Sequence, residues 1–226
     1  MNINNIHYLS HPYATDTPSY GGRDKVEITS NSSIEMGDTA NSSRWLFTNN
    51  HIGTHVDVPF HFDLEGKKIL DFSPKEWIFQ NVALVDVPCD GPRLIDSSDL
   101  ENAIIDSNIE LLLIRTGYEN FRLEKKYWNE NPGLAPSLPN YLRTWFPLLR
   151  CVGFDFISLT SFQFRDSGKK SHLEFLKPRE DQAPIIVIED MSLVNAANNI
   201  DWVIVSPVLI ENGNGSPVTV FSNMKP

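Results

Sequence analysis

Three of the six histidines in this chain of 226 residues fall inside one stretch, HIGTHVDVPFHF, from His51 to Phe62. His51, His55 and His61 share it with Asp57. Imidazole nitrogens and a hard carboxylate at close spacing are the donors that a zinc- or manganese-type site requires. Geometry limits how they can meet. One continuous strand would put His51, Asp57 and His61 on one face but spread them over roughly 33 Å. A helix would make His51 and His55 neighbours and turn Asp57 and His61 away. A curled loop following a strand is the remaining option, and Gly53 and Pro59 are residues that bend a chain. A single histidine is usually an ordinary hydrogen-bonded residue. Three of them with an aspartate, in a chain otherwise poor in histidine, point to a metal.

The C-terminal half offers one further histidine, His172, and a glutamate, Glu189, at the end of the apolar run PIIVIED. A carboxylate at the end of a buried strand is costly unless it is paired or bound to a metal. On local grounds alone, His172 reads as an exposed helix residue and Glu189 equally well as a solvated strand end.

The elements that must position these residues follow from apolar runs and breakers. Short strands are expected at Lys25–Thr29 and Arg44–Thr48, with 31–43 as a polar surface loop. Ser73-Pro74 starts a short helix through Trp77, with Ser73 as N-cap and proline at the first helical position. Asn81–Val87 reads as a strand, and Ser98-Asp99-Leu100-Glu101 is a capping-box pattern that predicts a helix start. The continuous run Leu111–Ile114 is that of a strand buried on both faces. Residues 120–136 read as a long loop, and Ser137 as the cap of a helix carrying Tyr141, Leu142, Trp145 and Phe146. Strands at Cys151–Ser158, Pro184–Ile188, Asp201–Ile210 and Pro217–Phe221, a helix at Ser171–Lys177 and a turn at 212–216 complete the chain. No repeat or domain boundary is visible, so the prediction is a single mixed α/β domain over residues 1–226.

Composition narrows the function. With 41% hydrophobic and 21% charged residues the chain is ordinary globular protein. The net charge of −10 argues against a nucleic-acid footprint and against anionic membranes, although a local basic patch is compatible with it. Cys89 and Cys151, the only two cysteines, read as buried thiols rather than a disulfide or a thiolate metal site. The opening MNINNIHYLS has neither the basic nor the apolar region of a leader, so a soluble cytoplasmic protein is expected.

The stretch HIGTHVDVPFHF also matches, at every fixed position, the signature His-x-Gly-Thr-His-x-Asp-x-Pro-x-His-Phe. In this the chain resembles the metal-dependent cyclase family that includes bacterial kynurenine formamidase. The resemblance continues through Gly66, LLLIRTG (Leu111–Gly117), VGFDFISL (Val152–Leu159), SHLEFL, PIIVIEDMSL and the closing SPVTVF, and so covers most of the chain. Where the family usually opens with Asp-Leu-Ser, this chain has Tyr8-Leu9-Ser10. The resemblance implies a swivelling β/β/α fold and a homodimer or homotetramer. It also implies His51, His55, Asp57, His172 and Glu189 as metal ligands, with His61 as the acid/base residue.

Five ligand side chains exceed the three protein donors of a single open catalytic zinc, so one or two ions per chain are expected, zinc or manganese, with Asp57 or Glu189 as the bridge. The chemistry expected is opening of an amide, formamide or lactone-type bond in a small substrate. An aryl formamide such as N-formylkynurenine leads, with an isatin-type ring or a biosynthetic cyclisation as alternatives. A protein that binds metal for regulation is the alternative from another class. There is no Gly-x-Ser-x-Gly elbow, so covalent catalysis has no candidate nucleophile. Trp45, Phe60, Phe62, Phe72 and Trp77 are candidates for an apolar pocket wall, and equally for ordinary core.

Overall fold

A computed structural model describes residues 5–179 and 182–225 of the chain. The first four residues of the opening stretch lie outside the described residues. In chain order the elements are β1 (Ile6–Tyr8), β2 (Val26–Ser32), β3 (Ser42–Phe47), β4 (His55–Asp57), β5 (Ile78–Phe79), β6 (Val82–Asp86), β7 (Leu94–Ile95) and β8 (Leu111–Arg115). They continue with α1 (Lys125–Asn129), β9 (Gly133–Leu134), α2 (Leu138–Trp145), β10 (Cys151–Phe154), α3 (Arg165–Leu176), β11 (Ile186–Glu189), β12 (Ile200–Pro207) and β13 (Gly215–Met224).

The apolar runs become the middle of one sheet ordered β5-β12-β13-β4-β11-β10-β8-β6, with β1 added on β13. The strands β6, β8, β10 and β11 are parallel, and β4 lies antiparallel between β11 and β13. The sheet curls until β6 comes back against β12, which makes it nearly closed. Alternation then separates two cores. Leu111, Leu113, Cys151, Ile186, Ile188, Val56 and Val58 face the inside of the curl with Val203, Val205 and Val220. Leu112, Ile114, Val152, Phe154 and Val187 face outward against Leu138 and Leu142 of α2 and Phe175 of α3. A strand buried on both sides needs no polar residues in its alternation, and that is why the run at 111–114 is uniformly apolar. Because Val56, Val58, Ile186 and Ile188 point inward, His55, Asp57 and Glu189 point outward, toward α3.

Several expectations are corrected here. The middle of the histidine stretch is strand rather than loop: β4 lies inside it, and only its ends curl. Gly53 bends one end with φ +61°, and the short 3₁₀ turn Pro59–His61 bends the other. No α-helix follows 98–101. The box is Asp96 with Asp99, one 3₁₀ turn forms over Ser97–Asp99, and Arg93 holds the Asp99 carboxylate. The residues beyond, with Asn102, Asp106, Ser107 and Asn108, are poor helix formers. Residues 120–136 are ordered by α1 and β9 and do not form a plain loop. Ser137 precedes α2 without a capping hydrogen bond from its side chain, and Trp145 is exposed. Ser73 and the proline after it start an element through Trp77 as expected, and it is a 3₁₀ turn whose Glu76 carboxylate accepts from the Ser73 N–H. Cys151 is a buried free thiol and Cys89 a half-buried one. Among the described residues no helix is long and apolar enough to cross a membrane.

Candidate metal centre

Antiparallel pairing sets His55 of β4 directly opposite Glu189 of β11, and Asp57 opposite Val187. Both carboxylates therefore emerge from the sheet on the face covered by α3, which delivers His172 from above. All six residues singled out in the sequence meet in one cavity of about 330 Å³. His55, Asp57, His172 and Glu189 are buried, and His51 and His61 lie at its more open side.

The donor atoms form a tight ring. His55 Nε2 lies 3.5 Å from Asp57 Oδ1 and 3.3 Å from Glu189 Oε2. His172 Nε2 lies 3.5 Å from Asp57 Oδ2 and 3.8 Å from Glu189 Oε1. A tetrahedral ion with bonds of about 2.0–2.2 Å sets its donors about 3.3–3.6 Å apart, so the spacing suits a cation.

Tautomers give the same answer. His55 Nδ1 faces the Gly53 carbonyl at 2.8 Å, and His172 Nδ1 faces the Gly168 carbonyl at 3.0 Å. A carbonyl only accepts, so both Nδ1 atoms carry the proton and both neutral rings turn a bare Nε2 toward a carboxylate. Two lone pairs facing each other at this distance repel unless a proton or a metal ion lies between them. His51 is similar, with Nδ1 2.7 Å from Asp57 Oδ1 and Nε2 3.0 Å from Asn214 Oδ1.

Without an ion, protons take the place. Burial opposes charge on His55, yet its hydrogen bond to Glu189 and the charge of Asp57 lift its pKa to about 9. Burial likewise opposes charge on His172, and Asp57 and Glu189 raise it all the same. Asp57, despite burial, is held well below the ordinary carboxylate range by His51, His172 and His55. His61 goes the other way: burial, reinforced by the neighbouring histidines against the pull of Asp57, takes it down to about 4. The centre thus draws cations to its inner side and keeps His61 neutral. Its residues fit a divalent metal.

The donors sort into two groups that share Asp57. His55, Asp57 and Glu189 form the inner one, joined by His172, and His51, Asp57 and His61 the outer one. His61 stacks on His51 at 4.1 Å between ring centroids.

Supporting contacts that sequence reading missed fix the donors. Glu189 Oε1 accepts from the Leu159 N–H at 2.7 Å and from the Ser158 hydroxyl at 3.3 Å. The Cβ that an alanine would add at Gly215 would lie 2.4 Å from His51 Cε1, so only glycine on β13 leaves room for that ring. The next residue after Glu189, Asp190, takes a left-handed φ of +53° and is fully buried. Arg122 binds it through Nε at 2.9 Å and Nη2 at 2.7 Å, with Tyr127 Oη at 2.5 Å. The 120–136 segment, which the signature did not reach, therefore braces the strand that carries Glu189. Of the aromatics proposed for a pocket wall only Phe62 lines this cavity, stacked on His172 at 4.7 Å. Trp77 is inner core with Phe72 packed against it, and Trp45 stands exposed on the β2–β3 hairpin.

A nearly closed mixed sheet, with this donor set on its helix-covered face, defines a metal-binding domain of the cyclase type. The chain belongs to the cyclase family: residues 7–160 match the family model described as "Putative cyclase". It is 26% identical over 212 residues to a kynurenine formamidase of Bacillus cereus (strain ZK), an alignment spanning 93% of each chain. A second kynurenine formamidase, from Bacillus cereus (strain ATCC 10987), is 29% identical over 74% of this chain and 73% of its own. The fold is shared with isatin hydrolase A from Ralstonia solanacearum, with a TM-score of 0.79 over 97% of this chain and 92% of that one at 14% identity. It is also shared with isatin hydrolase A from Labrenzia aggregata, with a TM-score of 0.76 over 97% and 93% at 18% identity.

Proposed function

We propose that this chain, a metal-dependent hydrolase of the cyclase family acting on a non-peptide C–N bond, opens an aryl formamide or a related cyclic amide. The observation that carries the reading is the ring in which the His55 and His172 Nε2 atoms lie 3.3–3.8 Å from the buried Asp57 and Glu189 carboxylates, with His61 at the more open side. His55, Asp57, His172 and Glu189 would hold one divalent ion, zinc or manganese. His51 with the shared Asp57 offers donors for a second, beside His61. A divalent ion there supplies Lewis acidity, activating water and polarising the amide carbonyl.

The chain's own residues supply the rest. His61 is neutral at pH 7 and so can accept a proton from the attacking water and return it to the leaving nitrogen. Phe62, flat against His172, gives a planar substrate an apolar wall beside the donors. Burial of the inner donors keeps bulk water from competing for them. The deciding experiment is hydrolysis of formanilide, of a five-membered cyclic aryl amide and of a lactone. Chelated protein is compared with protein reconstituted in zinc or in manganese. Metal-restored hydrolysis of the amides is expected. Stoichiometric metal with no hydrolysis of any of the three would favour a binding or regulatory role instead.

A further inference from the structure

The His51 ring is held by side chains at both of its nitrogens. Nδ1 lies 2.7 Å from Asp57 Oδ1, and Nε2 lies 3.0 Å from Asn214 Oδ1. For His55 and His172 a backbone carbonyl decides which nitrogen keeps the proton. At His51 that choice falls to Asn214. An amide side chain presents an acceptor or a donor, depending on which way it is turned.

Asn50 settles which way. One terminal atom of its amide lies 2.9 Å from the Gly215 carbonyl and 2.8 Å from Asn214. A carbonyl only accepts, so that atom is the Asn50 amino nitrogen, and it donates to both. The Asn214 atom it meets is then the oxygen, and the same oxygen faces His51 Nε2. Nε2 therefore carries the proton of the neutral ring, and Nδ1 keeps its lone pair on the side of Asp57. His51 presents the opposite nitrogen to that presented by His55 and His172. Its neighbours are fixed in place. The Asn214 carbonyl accepts from the Val58 N–H at 3.3 Å, just past β4. The His51 N–H donates to Asn49 Oδ1 at 3.0 Å. The turn between β12 and β13 does not account for Asn214, because the left-handed φ of +57° falls at Asn212.

We propose that Asn214, turned by Asn50, is a positioning residue that makes His51 an Nδ1 donor to the outer ion. This rests on the metal-binding reading above. A ring free to choose its tautomer is protonated at Nδ1 part of the time, and a protonated nitrogen does not ligate. An acceptor on the second ring nitrogen removes that choice and fixes the plane of the ring. The inner donors take this acceptor from the backbone, which no substitution removes. The outer donor takes it from a side chain. Affinity for the outer ion can therefore be tuned at Asn214 without disturbing the inner one.

The test titrates zinc into the full chain against a competing chelator, for the parent, Asn214→Leu, Asn214→Asp and Asn50→Ala. Leucine has nearly the size of asparagine but no acceptor. It should weaken the second ion about 10–100-fold and leave the first unchanged. Aspartate keeps an acceptor oxygen toward Nε2 and should bring the affinity back to that of the parent, a rescue that packing alone does not predict. Asn50→Ala frees Asn214 to turn and should fall between. Nitrogen-15 spectra of the zinc-loaded parent should place the His51 proton on Nε2 and those of His55 and His172 on Nδ1. A second ion held as tightly by Asn214→Leu as by the parent, an Asn214→Asp variant as weak as Asn214→Leu, or a His51 proton on Nδ1 overturns the proposal. A parent that takes up one ion only overturns it and leaves the inner centre standing, and a parent that takes up none overturns both. None of these readouts needs turnover, so a parent that binds two ions in this way and hydrolyses nothing keeps Asn214 in its role while the hydrolase reading falls.

Discussion

Asp57 joins both groups of donors, with Oδ1 facing His51 and His55 and Oδ2 facing His172. Ligation and proton transfer should therefore separate by residue. His55→Ala removes an inner donor and is expected to lose metal and activity together. His61→Ala is expected to keep its inner metal and lose roughly 10²–10⁴-fold in turnover, the usual size of an acid/base contribution. Metal content and kcat of both variants check this, and equal metal loss would make His61 a ligand. At this scale the sequence was informative. The types and spacing in HIGTHVDVPFHF announce a metal, and only the family resemblance in SHLEFL and PIIVIEDMSL adds His172 and Glu189 to it. Residue types cannot announce Leu159 N–H, Gly53 O or Gly168 O as partners, because any residue offers a backbone group.

At the scale of elements, the site depends on β4 and β11 standing in register with Gly215 of β13 beside them. Gly215→Ala should push His51 off its place and weaken metal binding about 10–100-fold, the range seen when groups that orient a ligand are altered. A metal titration against a competing chelator measures it, with the far-ultraviolet spectrum unchanged. Arg122→Ala would strand the buried Asp190 carboxylate and should cost about 3–5 kcal/mol, read by denaturant unfolding. An unaltered midpoint would show that Asp190 needs no cation. The alternation and the uniformly apolar runs made most central strands legible. The pattern at 98–101 misled because a capping box specifies where a helix starts and not whether it propagates. The role of 120–136 was hidden because its short elements are stabilised by Asp190 and by the outer core, not by local propensity.

At the scale of the molecule, an ion held by the proposed donors would tie segments more than a hundred residues apart. A thousandfold excess of metal over Kd stabilises the folded state by about 4 kcal/mol. For a chain of this size that is roughly 8–16 °C in Tm. The gain should depend on pH. With the metal removed, His55 is held at about 9 against an ordinary 6.5. Its protonation therefore stabilises the ion-free fold fully below 6.5, and that stability is lost as pH rises toward 9. Metal competes with that proton, so the melting shift on adding zinc should grow from pH 6 to pH 9. A shift that is flat or shrinks over that range would mean the ion does not displace the His55 proton.

Metal content bears most directly on the central claim that His55, Asp57, His172 and Glu189 together hold an ion. Elemental analysis of reconstituted, exhaustively dialysed protein should find at least one and up to two zinc or manganese ions per chain. Glu189→Gln, which keeps the shape and removes the charge, should fall well below one. A parent value far under one ion per chain, or a Glu189→Gln value equal to the parent's, would contradict the account.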